Sequence, residues 1–201
     1  MNHGRIKEKK LRLHGLYTEF ERIATPYAGM AVCRKGCSDC CTSVGDVDAT
    51  TLEAFFILEH IRSLPSPAQK EISKRLKQHR REKEKSRFVR CAFLDGKNAC
   101  AIYHLRPFSC RRLYSLEMCG ESGPTVHRRI WELGEETAFA IQTLDDNGYS
   151  GHLAHILQLL GDARFFKIYL EGSLAPDDVR DFGLKYNIIV NKFITNPPAG
   201  V

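Results

Sequence analysis

Cys33-Arg34-Lys35-Gly36-Cys37-Ser38-Asp39-Cys40-Cys41 concentrates four cysteines in one short run, and Cys91, Cys100, Cys110 and Cys119 complete the set of eight. Gaps of two or three residues let one tight loop aim several thiolates at a common point, and Gly36 supplies the backbone freedom such a loop needs. The adjacent Cys40 and Cys41 face different directions, so one can ligate while the other serves a second ion or supports the first. A chain of 201 residues buries a core without disulfide staples. The N-terminus, MNHGRIKEKKLRLHG, is basic and lacks the apolar stretch of a secretory signal. The expected setting is a reducing cytoplasm, where such cysteines read as metal ligands or redox thiols rather than disulfides.

Four thiolates around zinc or an oxidised [4Fe–4S] cluster leave a charge of about −2. Arg34, Lys35, Arg106, Arg111 and Arg112 lie close to the cysteines in sequence and could offset it through hydrogen bonds to sulfur. The candidate metal ligands are Cys33, Cys37, Cys40, Cys41, Cys91, Cys100, Cys110 and Cys119, with Arg106 and Arg111 as charge-compensating residues. Eight thiolates suffice for two four-cysteine zinc sites or for one cluster with four left over. The uneven spacing does not form a paired CxxC…CxxC ribbon, and a compact run completed by a distant cysteine suits a cubane. A [4Fe–4S] cluster is therefore favoured, with zinc as the alternative. His104, between Cys100 and Cys110, is left outside the ligand set.

The order C-x3-C-x2-C-C is followed by Cys91-Ala92-Phe93-Leu94, Cys100-Ala101-Ile102-Tyr103 and Arg106-Pro107-Phe108-Ser109-Cys110-Arg111. This succession resembles the zinc- or iron-chelating cysteine-cluster family called YkgJ-like or CxxCxxCC, over residues 33 to 112. The first gap is three residues rather than two, and Cys119 lies beyond the matched segments. The resemblance implies metal binding, with iron and zinc both open, and no settled reaction. One branch of that family resembles the flagellin lysine methylases, which brings in methyl transfer. Cys33-x3-Cys37-x2-Cys40 also matches the cluster triad of radical S-adenosylmethionine enzymes. Those enzymes build a β/α barrel, for which this chain has no alternating strands and helices.

Outward from the cysteines the pattern is mainly α: a helical domain around a small cysteine-rich metal module with a short hairpin. One domain, 1–201, is expected. It comprises an N-terminal helix (1–30), a cysteine-cluster region (31–120) containing a basic helix (66–87), and a helical C-terminal part (121–201). Ile6, Leu13, Leu16, Tyr17, Phe20 and Ile23 mark an amphipathic helix over 4–23, ended by Pro26 and Gly29. Asp48 reads as the cap of a helix to Ser63 that buries Leu52, Phe55, Phe56, Leu58 and Ile61. Pro65 and Pro67 open the next helix, to about Ser86. Residues 88–103 read as a hairpin around Asp95-Gly96, and Arg106-Pro107 opens a short helical turn. Further helices are expected over about 125–144, 149–160, 162–171, 177–184 and 186–194, before Pro197-Pro198.

No run approaches the roughly 20 apolar residues of a spanning helix. The net charge of +6 is uneven: residues 70–87 carry +6 and residues 1–15 carry +4, leaving −4 elsewhere. The helix over 70–87 could meet nucleic-acid phosphates or a protein partner. It has no aromatic before Phe88 for base stacking, and a solvated charged face is the ordinary meaning of such a run. His152-x-x-His155 can meet on one helix face, but without a nearby glutamate in protease register it reads as packing or surface. Tyr103 reads as packing beside the centre, and Glu135-Glu136 and Asp145-Asp146 as exposed helix charges. No catalytic triad, P-loop or dinucleotide fingerprint is visible. Three functions follow in order: a structural, redox- or metal-sensing metal protein; a cluster-dependent modifying enzyme using S-adenosylmethionine on protein or RNA; a nucleic-acid adaptor. The enzyme would need an open metal position or a cleft against the C-terminal helices.

Overall fold

The computed structural model describes residues 3–34, 36–43, 47–86, 88–120, 123–186 and 192–193. The chain is mainly helical. Helix α1 (His3–Ala28) buries Ile6, Leu13, Tyr17, Phe20 and Ala24 along one stripe, the four-and-three spacing of a helix face. Ile23 stays exposed beside Ala24. Pro26 does not break the helix, which continues to Ala28. The last turn of this long helix carries the proline, and Gly29 follows it.

A five-residue helix α2 (Asp39–Ser43) holds Cys40 and Cys41, and strand β1 (Asp48–Thr50) follows. Helix α3 (Thr51–Ser63) is capped by Thr50, not by Asp48. The Thr50 hydroxyl accepts from the Glu53 N–H while the Glu53 carboxylate accepts from the Thr50 N–H, a reciprocal box. Asp48 is instead drawn into a sheet. Helix α4 (Ser66–Lys83) starts at the two prolines and buries only Ile72, Leu76 and His79. A 3-10 turn (Tyr103–Leu105) and the short helix α5 (Phe108–Arg111) come next. The remaining elements are α6 (Arg128–Leu144), β2 (Tyr149–His152), α7 (Leu153–Gly161), α8 (Ala163–Glu171), α9 (Pro176–Tyr186) and β3 (Lys192–Phe193).

The helix expected from residue 149 therefore begins at Leu153. Tyr149–His152 pairs antiparallel with β1, Asp48 opposite His152 and Thr50 opposite Ser150. Strand β3 adds to the other edge of β2, with Tyr149 opposite Phe193. Lys192 and Phe193 are thus extended where a helix was expected. Residues 187–191 and 194, Pro197-Pro198, Lys35 and Arg87 lie outside the described residues. The hairpin over 88–103 reduces to a tight reversal with one antiparallel bridge, Leu94 to Cys100.

Helix α1 packs on α6, and α3 packs on α7. The shared core includes Phe20, Leu52, Ile57, Phe93, Ile130, Ile141, Ile156 and Tyr169. Asp145 lies inside it, fully buried rather than exposed. Its Oδ2 accepts from the Thr51 hydroxyl (2.5 Å) and the Leu52 N–H (2.8 Å), and its Oδ1 from the Tyr169 hydroxyl (2.8 Å). Asp146, on the surface, pairs with Lys9 and with Arg5 at 2.8 Å. The turn from α6 to β2 thereby ties α1, α3 and α8 together. No helix among the described residues is long and apolar enough to cross a membrane.

Candidate metal centre

The inner cysteines are held by backbone and by one buried carboxylate. The Cys41 carbonyl accepts from the Cys91 N–H at 2.8 Å, which fastens the loop after α4 onto α2. Asp95 Oδ1 then accepts from the Lys97 and Ala99 N–H groups, both at 2.8 Å, and reverses the chain so that Cys100 returns beside Leu94. Cys110 rides on α5. The first N–H of that helix, at Phe108, donates to Glu53 Oε1 at 2.7 Å, and the Ser109 hydroxyl donates to the Asp48 carbonyl at 2.5 Å. Glu53 Oε1 also accepts from the Tyr17 hydroxyl at 2.6 Å. One carboxylate therefore sets α1, α3 and the Cys110 turn against each other. It stands at the fourth position of Thr50-Thr51-Leu52-Glu53, a box signature the sequence displays, and the reading of Asp48 as the cap passed over it.

The eight cysteines fall into two groups. Cys40, Cys41, Cys91, Cys100 and Cys110 come from four separate segments into one electrostatic neighbourhood. Burial pushes the Cys110 thiol up, and Cys91, Cys40 and Cys100 push it further. Cys91 and Cys100 are raised mainly by burial, with neighbouring thiols adding to it. Cys40 and Cys41 do not point apart as their adjacency suggested, because both sit on α2 with their sulfurs in contact at 3.9 Å. Their hydrogen bond holds Cys40 down and raises Cys41. Arg106 is the cation that opposes these effects, lowering Cys40, Cys100 and Cys110.

The outer group is Cys33, Cys37 and Cys119. Gly36, at φ +90°, makes the turn in which the Cys37 N–H reaches the Arg34 carbonyl. The Val32 N–H bonds to the Ser115 carbonyl at 2.8 Å, and the Ser115 N–H donates to the Cys33 sulfur at 3.4 Å. Cys119 is buried, and its thiol is raised by that burial and by the charges of Cys33, Asp39 and Cys37. Cys33 and Cys37 are exposed.

Arg111 is engaged away from sulfur. Its guanidinium pairs with Glu21 at 2.8 Å, donates to the Arg106 and His104 carbonyls, and lies over the Tyr17 ring. Arg112 pairs with Glu135 at 2.6 Å. Tyr103 is exposed rather than packed in the core, and its ring carries the Arg106 guanidinium at 4.0 Å. His104 is exposed.

A cavity of about 20 Å³ opens between Cys40, Cys41 and Cys91 on one side and His79 and His152 on another, room for about one water. His79 donates from Nδ1 to the Arg90 carbonyl at 2.9 Å, and burial lowers its pKa. His152 stacks on His79 at 5.3 Å and accepts the Ala154 N–H as the cap of α7. His79 was not singled out by the sequence, where it reads as one more polar residue in a charged helix.

Among the described residues no three His, Cys, Asp or Glu side chains stand in ligating geometry. The donor chemistry nonetheless fits a thiophilic metal. Burial and neighbouring sulfurs raise Cys41, Cys91, Cys100 and Cys110, and a bound cation or cluster removes that penalty by replacing protons.

Residues 32–131 match the family described as "CxxCxxCC: Putative zinc- or iron-chelating domain". The chain belongs to this CxxCxxCC family. The match takes in both cysteine groups and ends within α6. No curated protein and no solved structure matches the chain. Family membership supports metal chelation by the cysteines and leaves zinc and iron undecided.

Proposed function

We propose that this CxxCxxCC protein is a metal-binding protein whose centre lies among the inner cysteines, with a [4Fe–4S] cluster favoured over zinc. The observation that supports this most is the gathering of Cys40, Cys41, Cys91, Cys100 and Cys110 from four segments, with Arg106 beside Cys40, Cys100 and Cys110. Four of the five would hold the group and the fifth would stand behind them. Cys33, Cys37 and Cys119 would form a second, more exposed thiol site. Arg106 would offset thiolate charge, while Arg111 would fix the loop that carries Arg106 through that residue's carbonyl. A cluster would supply one-electron chemistry, and zinc a cross-link between α2, the Cys91–Cys100 reversal and α5. The resulting role is structural, or redox- or metal-sensing. Iron, zinc and acid-labile sulfide measured on protein purified without oxygen test the choice. About four irons and four sulfides per chain, with absorbance near roughly 400 nm, are expected. Zinc without sulfide in a colourless protein overturns the cluster.

A further inference from the structure

A second opening lies between α3, α4, α7 and α9. It is a cleft of about 450 Å³, within the roughly 300–1,000 Å³ of small-molecule sites. Its apolar lining includes Ile61, Ile72, Leu157 and Phe182, all in the core. Leu76 lines both this cleft and the cavity beside Cys41 and Cys91.

Two arginines line the same cleft. Arg80 is half-buried; burial lowers its pKa and no carboxylate offsets that cost. Among the described residues neither Arg80 nor Arg62 forms an ion pair. Arg62, at the exposed rim, lies over the Phe166 ring at 4.4 Å. The one carboxylate in the lining, Asp162, is occupied at the start of α8, where it accepts the Arg164 and Phe165 N–H groups. A guanidinium kept partly out of water without a counter-charge is a donor fork waiting for an anion.

We propose that this cleft binds a small organic anion with an apolar body. Its carboxylate or phosphate is held by Arg80 and Arg62, and its apolar part lies on Ile72, Leu157 and Phe182. The inference is independent of the metal centre, since it uses none of the cysteines.

Fluorescence titration of the full chain with anilinonaphthalenesulfonate, beside its uncharged analogue N-phenylnaphthylamine, tests it. The sulfonate should bind saturably and the uncharged probe more weakly. Arg80→Met, which keeps an apolar stem, should weaken the sulfonate about tenfold and move the uncharged probe by less than about twofold. Ser73→Trp, on the exposed edge of the cleft, should remove both probes without lowering the melting temperature. Displacement by octanoate but not phenyl phosphate marks a carboxylate ligand, and the reverse marks a phosphate. Equal binding of both probes, no response to Arg80→Met, or binding that survives Ser73→Trp overturns the proposal.

Discussion

Asp145 and Gly148 show how much one turn can hold. A Cβ at position 148 would collide with the Thr51 hydroxyl and the Asp145 carboxylate, and neither can yield, because each is buried and hydrogen-bonded to the other. Gly148→Ala is expected to cost about 3 kcal/mol or more in urea unfolding. Burial raises the Asp145 carboxyl to about 6, against the lowering by Thr51, Tyr169 and Leu52. An acid raised in the fold binds more protons there than when unfolded. Its contribution to stability therefore declines as pH rises from about 4 through 6. At about 1.4 kcal/mol per pH unit this approaches about 3 kcal/mol. Asp145→Asn removes the titration but loses acceptor capacity. Its stability relative to the native chain should rise between pH 4 and 7, whatever its absolute level. A pH-independent difference would contradict this reading. None of this was legible in the sequence, where Asp145-Asp146 is an ordinary acidic pair and only the tertiary fold separates a buried member from a surface one.

At the scale of elements, helices with a clear apolar stripe or terminal prolines could be read directly, as α1 and α4 were. The strands could not. Asp48–Thr50 and Tyr149–His152 are too short to carry an alternating pattern, and each becomes extended only through a partner about a hundred residues away. The cysteine run was legible as a metal signal, but not its division. That division depends on the Gly36 turn and on the pairing of Val32 with Ser115, which are tertiary matters. Glu53 links α1, α3 and α5, so its effect should be felt at the centre. Glu53→Gln turns an amide donor toward the N–H groups of Thr50 or Phe108, at a cost of about 2 kcal/mol. It should also weaken metal retention against a chelator more than a surface change such as Glu136→Gln. Equal retention in the two variants would detach α5 from the site.

For the whole molecule, the helical body acts as the frame for a small irregular module. The core gathers residues from α1 to α8, and the cysteine segments lie on it through Phe93, Ile102 and Phe108, all buried. Thiols from distant segments are thereby brought into one neighbourhood, although among the described residues they do not close into a ligand shell. The central claim is that the inner group holds the metal and the outer group does not. The most direct test is metal and sulfide content of anaerobically purified Cys110→Ser and Cys119→Ser, beside the native chain. The account predicts stoichiometric metal in the native chain, retained in Cys119→Ser and lost in Cys110→Ser. Metal lost in Cys119→Ser but kept in Cys110→Ser, or a native chain that holds none, would contradict it.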